Sequence, residues 1–266
     1  MTARSCCRIQ IVGSKSYKSG VFLNFLKSII RRLTFTYLYD TLRFEPMEVL
    51  ADNLKAQYVS KGSTIKILDL GGGSGWYWHI NTLGMLKESK AIEVFLMDAA
   101  YDDQVTESQS LISKIQGVIP EALSLIPSDS FDVVIGLDLI EHLSKSDGYL
   151  LLYEMDRIAS SMQIILTPNG FVWQPPAVNN PYNAHISGWK MEEFASFGYG
   201  KYLGLVGYKQ FIGPYSQLKR PNPSRFHREL VALSAILVRW FPRFAFSILY
   251  VRTDKDFCIS PRHQDL

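Results

Sequence analysis

Four glycines in five residues, Gly71, Gly72, Gly73 and Gly75, follow directly on the apolar run Ile65-Lys66-Ile67-Leu68-Asp69-Leu70. Glycine loses more backbone freedom on folding than any other residue, so a cluster like this persists where the chain must turn tightly or approach something closely. The run before it is short and β-rich, and the pattern after it, from about Trp76 to Glu88, is helical. Strand, glycine turn and helix make the opening of a βα unit. The first amides of such a helix have no partner within it. A tight turn with no ligand would need fewer glycines.

The rest of the chain repeats the alternation. Ile92 to Met97 reads as a second strand and residues 104–116 as a helix. Phe131 to Leu137 reads as a third buried strand, Tyr149 to Ser160 as a helix, and Gln163 to Leu166 as a further strand. This is the pattern of a mostly parallel, doubly wound sheet with helices on both faces. Residues 168–188 are rich in Pro, Asn and Gly and read as a long loop, the kind that often carries function. Ahead of the first strand, Phe22, Phe25, Leu26 and Ile29 fall on one helical face, and a second helix runs from Met47 to Tyr58, ending near Lys61-Gly62. Residues 1–20 are polar and read as loose. The expected organisation is an N-terminal helical extension over 1–60, a core over 61–215, and a basic loop, apolar helix and last strand over 216–266.

Composition narrows the class. With 47% hydrophobic and 20% charged residues, disorder and fibrous folds drop out. A net charge of +3 is too mild to argue for a nucleic-acid partner by itself. Cys6, Cys7 and Cys258 are an odd set that builds no disulfide framework, and the N-terminus has no signal-peptide layout, so a cytoplasmic setting is expected. Leu230 to Val251 is nearly long enough to span a bilayer, but Arg239, Pro242 and Arg243 interrupt its middle. Each central arginine costs about 2.5–3.5 kcal/mol on insertion scales. The segment therefore reads as a helix to about Phe241, a break at Pro242 and a strand from Phe244 to Val251. Two settings stay open: a buried helix and strand, or peripheral membrane contact through residues 228–251, with tryptophan and arginine at the edge of the helix. Lys219, Arg220, Arg225, His227 and Arg228 read as a solvated stretch, with an anionic acceptor or headgroup as the alternative.

The glycine spacing selects among ligands. Dinucleotide folds use Gly-x-Gly-x-x-Gly, whereas Gly71, Gly73 and Gly75 are spaced Gly-x-Gly-x-Gly, with Trp76 and Trp78 just beyond. Asp98, at the end of the second strand, suits the two hydroxyls of a ribose, a feature nicotinamide folds share. The spacing together with the extra acid Asp69 tips the balance to S-adenosylmethionine. Through Leu68-Asp69-Leu70-Gly71-Gly72-Gly73-Ser74-Gly75, Met97-Asp98 and the stretch Phe131 to Leu143, the chain resembles the class I S-adenosylmethionine-dependent methyltransferases over roughly residues 45–210. The resemblance implies a Rossmann-like, mostly parallel seven-stranded sheet with an antiparallel C-terminal strand, extended by N-terminal helices. It implies that Asp69, Gly71, Gly72, Gly73 and Gly75 hold the methionine part and Asp98 the ribose, with Tyr77, Ala99 and Asp138 in the cofactor pocket or at its rim. Gln116-Gly117-Val118-Ile119-Pro120 offers no acid for the adenine amino group.

A second constellation follows the Phe131–Leu137 strand. Asp138, Glu141 and His142, then Thr167-Pro168-Asn169, then His185 and Trp189, are similar to ubiquinone-biosynthesis O-methyltransferases and small-RNA 2′-O-methyltransferases. Those hold a divalent metal with two glutamates and two histidines, whereas Asp138 here is one methylene shorter. Glu141, His142 and His185 are the expected catalytic residues. Three roles remain open for them: metal ligation, metal-free proton transfer, or capping and packing of the next helix. No metal ligand is assigned. Trp173, Tyr182 and Trp189 read either as an apolar acceptor pocket or as core and lid packing, and His79 as a helix-face residue. The expected function is S-adenosylmethionine-dependent O-methylation of a small-molecule, sugar or lipid-linked acceptor, with nucleic acid ranked behind these. The alternatives are a metal-assisted RNA 2′-O-methyltransferase, a nicotinamide dehydrogenase and a non-catalytic cofactor-binding protein.

Overall fold

The structure is a computed structural model that describes residues 45–73, 75, 78, 90–99, 112–178, 180–209 and 225–253. The expectations for residues 1–44, Trp76, Tyr77, His79 and the rest of the helix to Glu88, Lys219, Arg220 and Cys258 lie outside the described residues.

Helix α1 (Glu45–Lys61) leads into strand β1 (Ile65–Leu70), followed by β2 (Ile92–Asp98), β3 (Ile112–Gln116) and β4 (Phe131–Leu137). Helix α2 (Lys145–Ile158) passes straight into β5 (Ala159–Pro168). Helix α3 (Met191–Ser196), β6 (Lys201–Tyr208), α4 (Arg225–Trp240) and β7 (Ala245–Thr253) complete the order. The seven strands form one sheet ordered β3-β2-β1-β4-β5-β7-β6. β3, β2, β1, β4 and β5 pair in parallel, and β7 runs antiparallel to both β5 and β6. This is a Rossmann-like, doubly wound sheet with one reversed C-terminal strand, as expected.

Alternation along the strands explains the layers. Ile65 and Ile67 of β1 face a core shared with Val49, Leu50 and Leu54 of α1. Leu68 and Leu70 face the opposite core with Leu151, Leu152 and Met155 of α2. Because both faces are covered, the central strands read as near-continuous apolar runs. The order reverses between β1 and β4, and at such a switch point the connections diverge and leave a crevice beyond the carboxyl ends of the strands.

Two sequence expectations are corrected. Of residues 104–116, expected to be helical, 104–111 lie outside the described residues and Ile112–Gln116 is the edge strand β3, which makes Phe131–Leu137 the fourth strand. Only Ile112 and Ile115 of Ile-Ser-Lys-Ile-Gln are partly covered, so the segment shows little apolar pattern of either period. α2 ends at Ile158 rather than Ser160, and β5 begins at once, with Ala159 paired to Phe131.

Candidate active site

β1 delivers Asp69 to the edge of the crevice, and the glycine turn folds over it. The Asp69 carboxylate is 2% exposed and accepts from Trp78 Nε1 at 2.7 Å through Oδ2. Burial pushes its carboxyl up to about 7, against the Trp78 hydrogen bond and with the help of the nearby Asp98 charge. Gly71 and Gly75 have φ near +70°, where a side chain is strained. A Cβ on Gly71 would stand 2.9 Å from Leu139 Cδ1, and one on Gly75 2.7 Å from Leu96 Cδ1. These two glycines are thus required by the protein's own packing as much as by any ligand. The Gly73 amide donates to Asp98 Oδ2 at 2.9 Å, so the acid ending β2 closes the turn from the other side.

An open cleft of about 660 Å³, its mouth included, lies beyond the strand ends. Gly71, Asp98, Ala99, Asp138 and His142 line it, and so do Val118, Ile119, Leu139 and Leu143. Asn180, Tyr182 and Asn183 of the long loop close one side. Of the expected cofactor residues, Gly71, Asp98, Ala99 and Asp138 therefore meet in one space. Asp69 lies sealed beneath the turn and does not line the cleft. Asp138 has φ +50°, in the left-handed region that aspartate tolerates better than most residues, and its amide donates to Leu166 O at 2.8 Å. Its side chain reaches solvent at the cleft wall, yet the protein packed around it pushes the carboxyl up to about 6.

Glu141 and His142 sit on a single turn of 3-10 helix, Ile140–His142. Glu141 is 2% exposed, and Oε2 accepts from Thr167 Oγ1 at 2.9 Å. Its Oε1 is buried with no hydrogen-bond partner. Burial, and then the Asp138 charge, hold this carboxyl well above the usual carboxylate range. His142 Nδ1 meets Ala184 O at 3.0 Å, and His185 Nδ1 meets Val172 O at 2.7 Å. A carbonyl only accepts, so His185 carries its proton on Nδ1 and keeps its lone pair on Nε2, while His142 has two backbone partners, Ala184 and Asp138. The two rings stand edge to face with centroids 4.7 Å apart. Burial lowers both imidazoles below the usual histidine value, so both are neutral bases at pH 7.

One donor atom from each of Glu141, His142 and His185 lies within 4.8 Å of the other two. Asp138 is not among these three donors. Helix capping by Glu141 or His142 is overturned. α2 is capped by Ser144, whose hydroxyl accepts from the Asp147 amide at 3.1 Å.

The long loop is built on this turn. The amides of Ile186 and Ser187 donate to Glu141 O at 2.9 and 3.1 Å. Trp189 Nε1 donates to Ile140 O at 3.1 Å and to Ser187 Oγ at 2.9 Å. Trp189 is fully buried against Phe194 and Tyr149, so of its two expected roles, acceptor pocket or core packing, it has the second. Tyr182 does line the cleft, and Trp173 stands exposed outside it. The sequence gives neither Trp78 nor Thr167 a partner. Their pairing with acids nine and 26 positions away has no periodic signal.

No protein-family model matches the chain, and no curated protein matches it. Among solved structures the chain is similar to a SAM-dependent methyltransferase from Archaeoglobus fulgidus, at TM-score 0.46 and 18% identity over 78% of this chain and 94% of that one. It is similar to the methyltransferase domain of bacterial CtHen1-CN, at 0.45 and 17% over 80% and 99%. It is also similar to Haemonchus contortus phosphoethanolamine N-methyltransferase 2 in complex with S-adenosyl-L-methionine, at 0.42 and 12% over 72% and 49%. At this identity the likeness concerns the course of the chain, not the chemistry of its side chains.

Proposed function

We propose that the protein is an enzyme that transfers a methyl group from S-adenosylmethionine to a hydroxyl of a small-molecule, sugar or lipid-linked acceptor. One observation carries the reading. Asp98 and the glycine turn form one wall of the cleft, tied by the Gly73 amide, while Asp138 and His142 form the wall across the switch point. The donor would lie along the first wall, its ribose at Asp98 and its cationic end over the turn, where Asp69 supplies a negative field from beneath. Bound there, it supplies an electrophilic methyl carbon. The chain's own residues hold the acceptor against that carbon, exclude water and take the hydroxyl proton. The acceptor oxygen would take that carbon as the carbon–sulfur bond breaks with its electron pair left on sulfur. His142 lines the cleft and burial lowers its imidazole, which supports a role for it in accepting the proton.

Calorimetric titration of the intact chain with S-adenosylmethionine and with its demethylated product tests the donor site. Saturable heat with both is expected, and Asp98→Ala should remove most of it. No heat with either overturns the reading. A rise in NADH fluorescence on mixing would assign the cleft to a nicotinamide instead.

A metal-assisted form of the same reaction also has an observation in its favour. Glu141 Oε1 is buried without a hydrogen-bond partner, and one donor atom from each of Glu141, His142 and His185 lies within 4.8 Å of the other two. Glu141, His142 and His185 would hold the cation, and a mixed O/N set suits Mg, Mn or Zn. The cation would acidify the acceptor hydroxyl. Turnover that is lost to a chelator and restored by one of these ions supports this form. Turnover indifferent to the chelator removes it.

A further inference from the structure

We propose that the protein docks on an anionic lipid bilayer through the outward face of α4 and the adjoining rim of the long loop, so that the cleft opens at the membrane surface. α4 is seated on the sheet by one face only. Val231, Ala235 and Val238 are buried, and β6 presents glycines where they land. A Cβ on Gly204 would stand 2.5 Å from Val238 O, and one on Gly207 2.9 Å from Ser234 Oγ. The opposite face carries Leu233, Ile236, Leu237 and Trp240, spaced i, i+3, i+4, i+7 and exposed by 46–66%. The core does not need this stripe, and an exposed contiguous apolar patch marks a contact site.

The stripe leads to the cleft. β7 starts at the carboxyl edge of β5, with Ser247 paired to Pro168, so the end of α4 lies on the active-site side of the sheet. There Phe241 and Phe244 are exposed. Asn169 Nδ2 donates to Arg243 O at 2.9 Å and Ala245 O at 3.1 Å, which ties that tip to the root of the long loop. Two and four residues further on, Phe171 and Trp173 are exposed as well. Between them, Val172 O accepts from His185, and the same loop brings Tyr182 to the cleft.

Charge selects the occupant. α4 carries one acidic residue, Glu229, four positions before Leu233, and from Leu230 to Thr253 there is none, while Arg239 and Arg243 stand among the exposed Trp240, Phe241 and Phe244. Apolar and aromatic groups on the outer face, with arginines at its edge, fit the boundary between acyl chains and anionic headgroups. No helix among the described residues is long and apolar enough to cross a membrane, so α4 would lie on the surface. Under the methyltransferase reading, on which this last step rests, the acceptor is then lipid-linked and reaches the site from the bilayer.

Sedimentation of the intact chain with phosphatidylcholine vesicles, plain or mixed with phosphatidylglycerol, tests the docking. Binding to mixed vesicles should be about tenfold tighter than to plain ones and should weaken with salt. Leu237→Glu and Trp240→Ser should abolish it without changing the circular dichroism or melting temperature, and Arg243→Glu should erase the preference for phosphatidylglycerol. No pelleting with either vesicle overturns the proposal, as does equal pelleting of Leu237→Glu. A dimer that Leu237→Glu converts to a monomer, with no vesicle binding, assigns the face to a second copy and also overturns it. Titrating the same samples with S-adenosylmethionine separates the two readings. Heat without pelleting sinks the docking alone, and pelleting without heat sinks the donor site alone.

Discussion

Trp78 donates its indole proton to a carboxylate oxygen of Asp69 beneath the glycine turn, and neither side chain reaches solvent. Trp78→Phe keeps most of the apolar volume and leaves that oxygen without its partner. An unsatisfied buried group costs about 1–3 kcal/mol. Urea unfolding should show a loss in this range at pH 8 and a smaller one at pH 5, where the carboxyl holds a proton. Equal losses at both pH values would mean that the bond does not depend on the carboxylate's charge.

Asp69 itself should work against stability at high pH. Its carboxyl stands at about 7 in the fold, against 3.8 for the free group. Between these values the folded chain holds the proton more tightly than the unfolded chain, so stability is greatest below the window and falls as pH rises through it. Three pH units at about 1.4 kcal/mol each set an upper bound of about 4 kcal/mol. Asp69→Asn should flatten that fall and melt higher than the parent at pH 8, while losing affinity for the donor. Parallel melting curves from pH 4 to 8 would show that the carboxyl is already ionised at the acid end.

Glu141→Gln, His142→Asn and His185→Asn should separate donor binding from turnover. None of the three belongs to the wall formed by Asp98 and the glycine turn, so donor heats should stay within about threefold of the parent. Turnover should fall by about 10²–10⁴ for the residue that takes the proton. Asp98→Asn should do the reverse, weakening the donor first. A donor affinity that collapses in His142→Asn would place that ring at the cofactor instead.

Gly148→Ala tests the packing under the long loop. In an ordinary helix interior the change stabilises by up to about 1 kcal/mol. Here the new Cβ would stand 2.2 Å from Trp189 Cζ2. Trp189 is held by Ile140 O and Ser187 Oγ, so it cannot yield cheaply. Overpacking costs about 1–3 kcal/mol, which reverses the sign. Thermal melting should fall by several degrees, and an unchanged or raised midpoint would contradict the packing described.

The parts of this protein legible in its residues are those with a local physical cause. The central strands β1, β2 and β4 are buried on both faces and so announce themselves as apolar runs. Pro242 ends α4 because it cannot continue a helix, and the strand after it was expected within a residue of where it starts. β3 was misread because an edge strand with little burial needs no pattern. The loop between β5 and α3 was expected only as a loop. Its course depends on Ile140 O, Glu141 O and the His142 ring, one short turn that lies 42 to 49 positions before the loop residues it holds.

Sequence alone determined the βα alternation, the glycine turn and the acids at the ends of β1 and β2, because strand burial and backbone strain act over a few neighbouring residues. Tertiary structure decided which acid faces the cleft and which lies sealed under the turn. It also decided that Trp189 is core, and that Glu141, His142 and His185 meet without Asp138. Those outcomes depend on contacts between segments tens of residues apart, where burial and hydrogen-bond geometry are set by the whole sheet and by no local pattern.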